Sequence, residues 1–93
     1  MRYKDFGTTG LKVSAIGVGT WGVGGRGWGG SDRESSIQAL RAMFDAGVNL
    51  VDTAPAYNRG LAEEITGEAI QGIRDKVIVT TKCGMNIDKP GWA

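Results

Sequence analysis

Asp52, Tyr57 and Lys82 are the residues of this chain whose types and spacing suit proton delivery. The run Val48-Asn49-Leu50-Val51 ends in the carboxylate of Asp52, and Thr53-Ala54-Pro55-Ala56 then leads to the phenol of Tyr57. A second apolar run, Val77-Ile78-Val79-Thr80-Thr81, ends in the cation of Lys82. A lysine at the end of a buried strand costs free energy unless it is paired, and Asp52 is the expected partner. A paired Lys82 beside the Tyr57 hydroxyl would favour phenolate and pull the phenol down from its usual value of about 10, toward the working range of a general acid. Such a tyrosine can protonate a carbonyl oxygen while hydride reaches the carbon.

Each residue also has a plain structural role. An Asp after a strand caps a helix or forms a turn, a Lys there is the first solvated residue of a loop, and a Tyr after Pro-Ala is a surface aromatic. What favours chemistry is convergence, which depends on the elements that carry the three groups. Residues 1–14 read as a hairpin: Tyr3 and Phe6 precede Gly7-Thr8-Thr9-Gly10, and Leu11-Lys12-Val13-Ser14 alternates after it. Ala15–Gly19 reads as the first strand, Val48–Asp52 as the second and Val77–Lys82 as the third. Ser31 and Glu34 form a capping box, Ile37, Leu40 and Phe44 follow at helical spacing, and Gly47 is placed to end that helix. A second helix is expected from Leu61 to about Gly72, with Ala62, Ile65, Ala69 and Ile73 on one face. Strands alternating with helices imply a parallel sheet, and strands without polar alternation imply that both faces are covered. Ligands of parallel α/β folds bind at the carboxyl ends of the strands. Thr20-Trp21, Asp52 with Tyr57, and Lys82 are all expected at that end.

The glycines suggest a rival. Gly17-x-Gly19-x-x-Gly22, Gly22-x-Gly24-x-x-Gly27 and Gly25-x-Gly27-x-x-Gly30 all match the dinucleotide fingerprint, and Asp52 lies 22 positions after Gly30. The fingerprint requires a strand that runs into its first glycine, whereas the first strand ends near Gly19, and Trp21 and Trp28 crowd the loop. A flexible lid over the site is the preferred reading. Cys83 reads as a small packing residue, since the chain has no histidine to activate it.

Composition narrows the classes. At 93 residues and 41% hydrophobic content the chain is globular in type. A net charge of +1, with the basic residues scattered, argues against a nucleic-acid partner. One cysteine and no histidine argue against a disulfide framework or a zinc site, so no metal is expected. A charged N-terminus and the lack of a spanning apolar run argue against secretion and membrane insertion, which makes a reducing cytoplasm the expected compartment.

With these residues in view, the chain resembles the aldo-keto reductase superfamily along its whole length. Phe6–Ser14 is similar to the family's opening hairpin, Ile16-Gly17-Val18-Gly19-Thr20-Trp21 to its first barrel strand, and Val51-Asp52-Thr53-Ala54-Pro55-Ala56-Tyr57 to its most specific motif. Thr81-Lys82 is similar to the end of its third strand, with Lys82 25 positions after Tyr57. The resemblance implies an α/β fold, a hairpin plus the first three strands of a (β/α)8 barrel. It also implies reduction of small aldehydes and ketones with NADPH, or with NADH as the alternative. Tyr57 would be the general acid, with Lys82 and Asp52 tuning it. Gly19, Thr20, Trp21 and Asp52 would border the nicotinamide or the carbonyl pocket, and the hairpin would plug the barrel's bottom. The family's catalytic histidine and its phosphate-binding residues have no counterpart in these residues, and a barrel takes about 250. The chain is therefore expected to be the N-terminal portion of such an enzyme, inactive alone. Two rivals make different forecasts. A non-catalytic interaction protein would form a discrete oligomer, and a Rossmann-type domain would lose cofactor binding on changes at Gly25–Gly30 but not at Lys82.

Overall fold

The computed structural model describes residues 1–23 and 33–84. The capping box at Ser31, the lid over Gly24–Gly30 and the tail beyond Gly84 lie outside the described residues. Strands β1 (Tyr3–Asp5) and β2 (Lys12–Ser14) pair antiparallel. Their turn places Gly7 and Gly10 at φ of 60° and 79°, where a side chain would be strained. The Thr9 hydroxyl closes it by donating to the Phe6 carbonyl at 2.6 Å.

Three further strands form a parallel sheet in the order β3 (Val18–Gly19), β4 (Leu50–Asp52), β5 (Ile78–Thr80). Helix α1 (Arg33–Asp45) lies between β3 and β4, and α2 (Leu61–Ala69) between β4 and β5. Successive strand residues face opposite sides. Val51 turns to the helices, where it packs with Ile70 and Val77, and Val18, Phe44 and Val79 close around them. Ile37 and Leu40 of α1 meet Ile65 and Ala69 of α2 in a second buried cluster. The periodic positions expected to be apolar faces are thus the helix–helix and helix–sheet contacts. The opposite face of the sheet, bearing Leu50, Asp52, Ile78 and Thr80, is only part-covered among the described residues, contrary to the expectation of two covered faces.

The elements are shorter than the sequence suggests, because tertiary hydrogen bonds claim their ends. The Ser14 hydroxyl donates to the Ile16 carbonyl and the Ala15 N–H to Arg2, so residues 15–17 follow the hairpin and Ile16 is exposed. The Val48 N–H donates to Met43, so Val48 completes the turn after α1, in which Gly47 takes φ of 104°. Helix α2 stops at Ala69, three residues early. Ile70 leaves helical geometry, and Arg41 of α1 donates to the carbonyls of Glu68 and Ala69 at 3.2 and 3.4 Å. Ile73 therefore packs from a turn rather than from the helix face. Strand β5 ends at Thr80, which leaves Lys82 two residues beyond it.

The hairpin is fastened to the amino end of β4 through Asn49. The Asn49 side chain accepts from the Ser14 N–H at 2.6 Å and donates to the Lys12 carbonyl at 2.9 Å, while its own N–H donates to the Ser14 hydroxyl at 3.0 Å. Tyr3 adds a bond to the Gly47 carbonyl at 2.8 Å. Replacing Asn49 with Ala leaves the partly buried Ser14 amide without its acceptor. The expected cost in urea unfolding of the complete protein is about 1–3 kcal/mol. An unfolding free energy equal to the parent's would contradict this assignment.

Candidate active site

The site is built at the carboxyl edge of the parallel sheet, and strand register does most of the placing. Gly19 pairs with Asp52, and Asp52 with Thr80, so three strand ends stand level. Asp52 and Thr80 share a face, and the Thr80 hydroxyl donates to Asp52 Oδ1 at 2.8 Å. Lys82 keeps the parity of Thr80 and returns its side chain over the same edge. Its ammonium has three protons and meets three acceptor groups: the Thr53 carbonyl at 2.9 Å, the Tyr57 hydroxyl oxygen at 3.2 Å and the Asp52 carboxylate, with Oδ2 at 3.3 Å and Oδ1 at 3.5 Å. Nζ also sits 4.8 Å from the centroid of the Tyr57 ring. The three residues singled out as a proton-delivery set are therefore brought together around one cation.

Because Lys82 donates to the phenol oxygen, the Tyr57 O–H proton points away from it. No described residue accepts that proton, which leaves it available to an incoming oxygen. The hydrogen bond with Tyr57 holds the lysine pKa above its ordinary value against the opposing effect of desolvation, and the Asp52 carboxylate adds to the rise. Lys82 thus stays cationic throughout the neutral range. The expectation of a buried lysine is corrected here. Its side chain is 39% exposed and that of Asp52 54% exposed, so the pair adds little stability. Its consequence is positional.

Of the other expected site residues, Gly19 and Trp21 are exposed at the same edge, and a Cβ on Gly19 would meet nothing within 4 Å. Thr20 is fully buried, and its N–H and hydroxyl both donate to the Asp52 carbonyl, at 3.1 and 3.0 Å. It fixes the wall rather than opening onto it. Cys83 is exposed, which corrects its reading as a packing residue: it lies past the strand, where no element among the described residues covers it. Among the described residues no group of His, Cys, Asp or Glu could hold a metal ion. No helix there is long and apolar enough to cross a membrane.

Sequence reasoning missed three contributors. Thr80 orients the carboxylate, and its only signal was its place two residues before Lys82. The Thr81 hydroxyl donates to Glu63 of α2 at 2.7 Å, tying the segment that carries Lys82 to a helix. Asn58 donates to the Val23 carbonyl at 2.6 Å from the turn that follows Tyr57.

Comparison with known proteins gives these contacts a context. The model of the Aldo/keto reductase family matches residues 15–93. Aldo-keto reductase YhdN of Bacillus subtilis is 49% identical over 88 residues, which is 92% of this chain and 27% of that protein. The NADH-specific methylglyoxal reductase of Escherichia coli is 40% identical over 98% of this chain and 29% of its own length. Among solved structures, the holo form of aldo-keto reductase AKR11C1 from Bacillus halodurans superposes with a TM-score of 0.84 at 33% identity, over all of this chain and 30% of that one. An aldo/keto reductase of Klebsiella pneumoniae in complex with NADP and acetate has a TM-score of 0.68 at 43% identity, over 77% of this chain and 24% of that one. The hairpin and the β3–α1–β4–α2–β5 order are those of the first part of a (β/α)8 barrel. The chain spans between 24% and 30% of each of these proteins.

Proposed function

This chain belongs to the aldo/keto reductase family, and from that premise we propose that it supplies the proton-delivering part of an oxidoreductase that reduces small aldehydes and ketones with a nicotinamide cofactor. The observation that carries the reading is the Tyr57 hydroxyl, which accepts from Lys82 at 3.2 Å and keeps its own proton for an incoming carbonyl oxygen. Tyr57 donates that proton as the oxygen gains negative charge. The Lys82 ammonium then faces the negative charge left on the phenol oxygen, where a fixed cation is worth most. Asp52 and the Thr53 carbonyl hold the ammonium in place, and Thr80 holds Asp52.

The edge also fits the cofactor. Gly19 pairs with Asp52 and carries no Cβ, and the Trp21 ring is exposed two residues on. Gly19, Trp21 and Asp52 would border the nicotinamide, with Thr20 as the buried support behind them. When bound, the nicotinamide supplies hydride to the carbonyl carbon. NADPH is the proposed carrier: the Klebsiella relative is in complex with NADP, whereas the Escherichia relative is NADH-specific. The test follows reduced-nicotinamide absorbance with a small aldehyde, using the complete barrel polypeptide of which this chain is the N-terminal portion and the 93-residue chain beside it. Aldehyde-dependent consumption by the complete protein and none by the short chain is expected. A complete protein without such turnover would refute the function, and cofactor binding in equimolar amount by the short chain would refute its inactivity.

A further inference from the structure

Tyr57 reaches Lys82 from a turn rather than from a strand, so the backbone just after it decides where the phenol stands. That backbone is unusual. Asn58 and Arg59 take φ, ψ of 51°, 41° and 54°, 41°, and Gly60 follows at φ of 94°. Consecutive non-glycine residues in the left-handed region are disfavoured, asparagine least so, and such a stretch persists only where its surroundings fix it. One fixing contact is in view: Asn58 Nδ2 donates to the Val23 carbonyl at 2.6 Å. Val23 in turn donates its N–H to the Thr20 carbonyl at 2.9 Å, closing the turn that presents Trp21. The Asn58 amide therefore joins the loop that carries the phenol to the loop that carries Thr20 and Trp21.

We infer that Asn58 is a positioning residue for Tyr57, clamping the left-handed turn behind the phenol to the loop after β3 so that the hydroxyl is held between Lys82 and an incoming carbonyl. The inference rests on the reading of Tyr57 as the acid. Nothing in the clamp touches the ammonium, so the clamp serves the direction of the phenol and not the charge beside it. Asn58→Gly keeps the left-handed backbone at no steric cost and removes only the side-chain bond. Asn58→Asp keeps the size and much of the conformational tolerance but sets a carboxylate against the Val23 carbonyl.

Both variants are made in the complete barrel polypeptide. Each is expected to lower kcat for aldehyde reduction on the order of 10–10²-fold, the scale of a misplacement of about 1 Å, with the NADPH dissociation constant from fluorescence titration and the melting temperature unchanged. In a Tyr57→Phe background, Asn58→Gly is expected to cause no further loss, because the two act through one group. A kcat for Asn58→Gly within about twofold of the parent overturns the inference, and so does an equal additional loss in the Tyr57→Phe background. A fall in cofactor affinity or melting temperature that matches the fall in kcat also overturns it, since that marks general collapse of the loops. Full turnover by Tyr57→Phe alone would remove the acid reading and this inference with it. An inactive Tyr57→Phe beside a fully active Asn58→Gly would remove only the positioning role.

Discussion

Tyr57→Phe in the complete protein is expected to remove carbonyl reduction and to leave cofactor binding near its starting value. The substitution keeps the ring, and with it the contact to Lys82 at 4.8 Å, but deletes the hydroxyl that accepts from Lys82 at 3.2 Å. Loss of a positioned general acid costs on the order of 10²–10⁴-fold in rate, so steady-state kcat should fall by that factor. The open edge at Gly19 and Trp21 is untouched, so the NADPH dissociation constant should move little. The hydroxyl has no described partner apart from Lys82, which argues against a large stability change. Turnover retained at the parent rate would show that the proton comes from elsewhere.

Lys82→Met is expected to have the second largest effect. Methionine matches the length of the stem and removes the charge, so the Thr53 carbonyl, Asp52 and the Tyr57 oxygen all lose their common donor. Loss of a preorganised group facing developing charge costs on the order of 10²–10³-fold in kcat, and that is the expected fall. Because the ion pair is well exposed, the melting temperature should stay close to the parent's. The pH dependence follows from the direction of the lysine shift. The folded-state pKa is raised, so the contribution of Lys82 to stability is complete below its ordinary value of 10.5 and is lost only as pH climbs through the raised value. Between neutrality and that value, thermal melting should show no pH-dependent step that Lys82→Met abolishes. Such a step would contradict the assignment, as would an active Lys82→Met enzyme.

What is legible in the residues alone, and what is not, divides along a physical line. Asp52 and Lys82 were placed at neighbouring strand ends by hydrophobic pattern alone, because pattern fixes which strands are parallel and which end of each is which. Ile37, Leu40, Ile65 and Ala69 were found by helical spacing, and they are the buried seam between the helices. Contacts that depend on tertiary partners were not legible. Arg41 ends α2 from a different helix, and Asn49 draws the hairpin to β4, so the element ends moved inward. Thr80 carries only its spacing to Lys82 as a signal and Asn58 carries none, since one depends on strand register and the other on a left-handed backbone. The exposure of Lys82 and Cys83 was missed for a related reason: both follow the last ladder residue of β5, and pattern does not report where a ladder stops.

The contacts around the ammonium have one more property. Lys82 reaches Asp52 and Tyr57, and Thr80 reaches Asp52, across sequence separations of 25 to 30 residues, all along the single crossover from β4 through α2 to β5 and its exit. The entropy lost in closing that loop is set by those residues and grows only slowly with length. Chain added beyond the crossover does not increase it. During synthesis, every described residue that touches the phenol oxygen has been made once Lys82 has been added, before the remainder of a barrel exists. Tyr57 and Lys82 therefore form one local unit in chain growth, whereas any binding surface drawn from distant strands must wait for the whole fold.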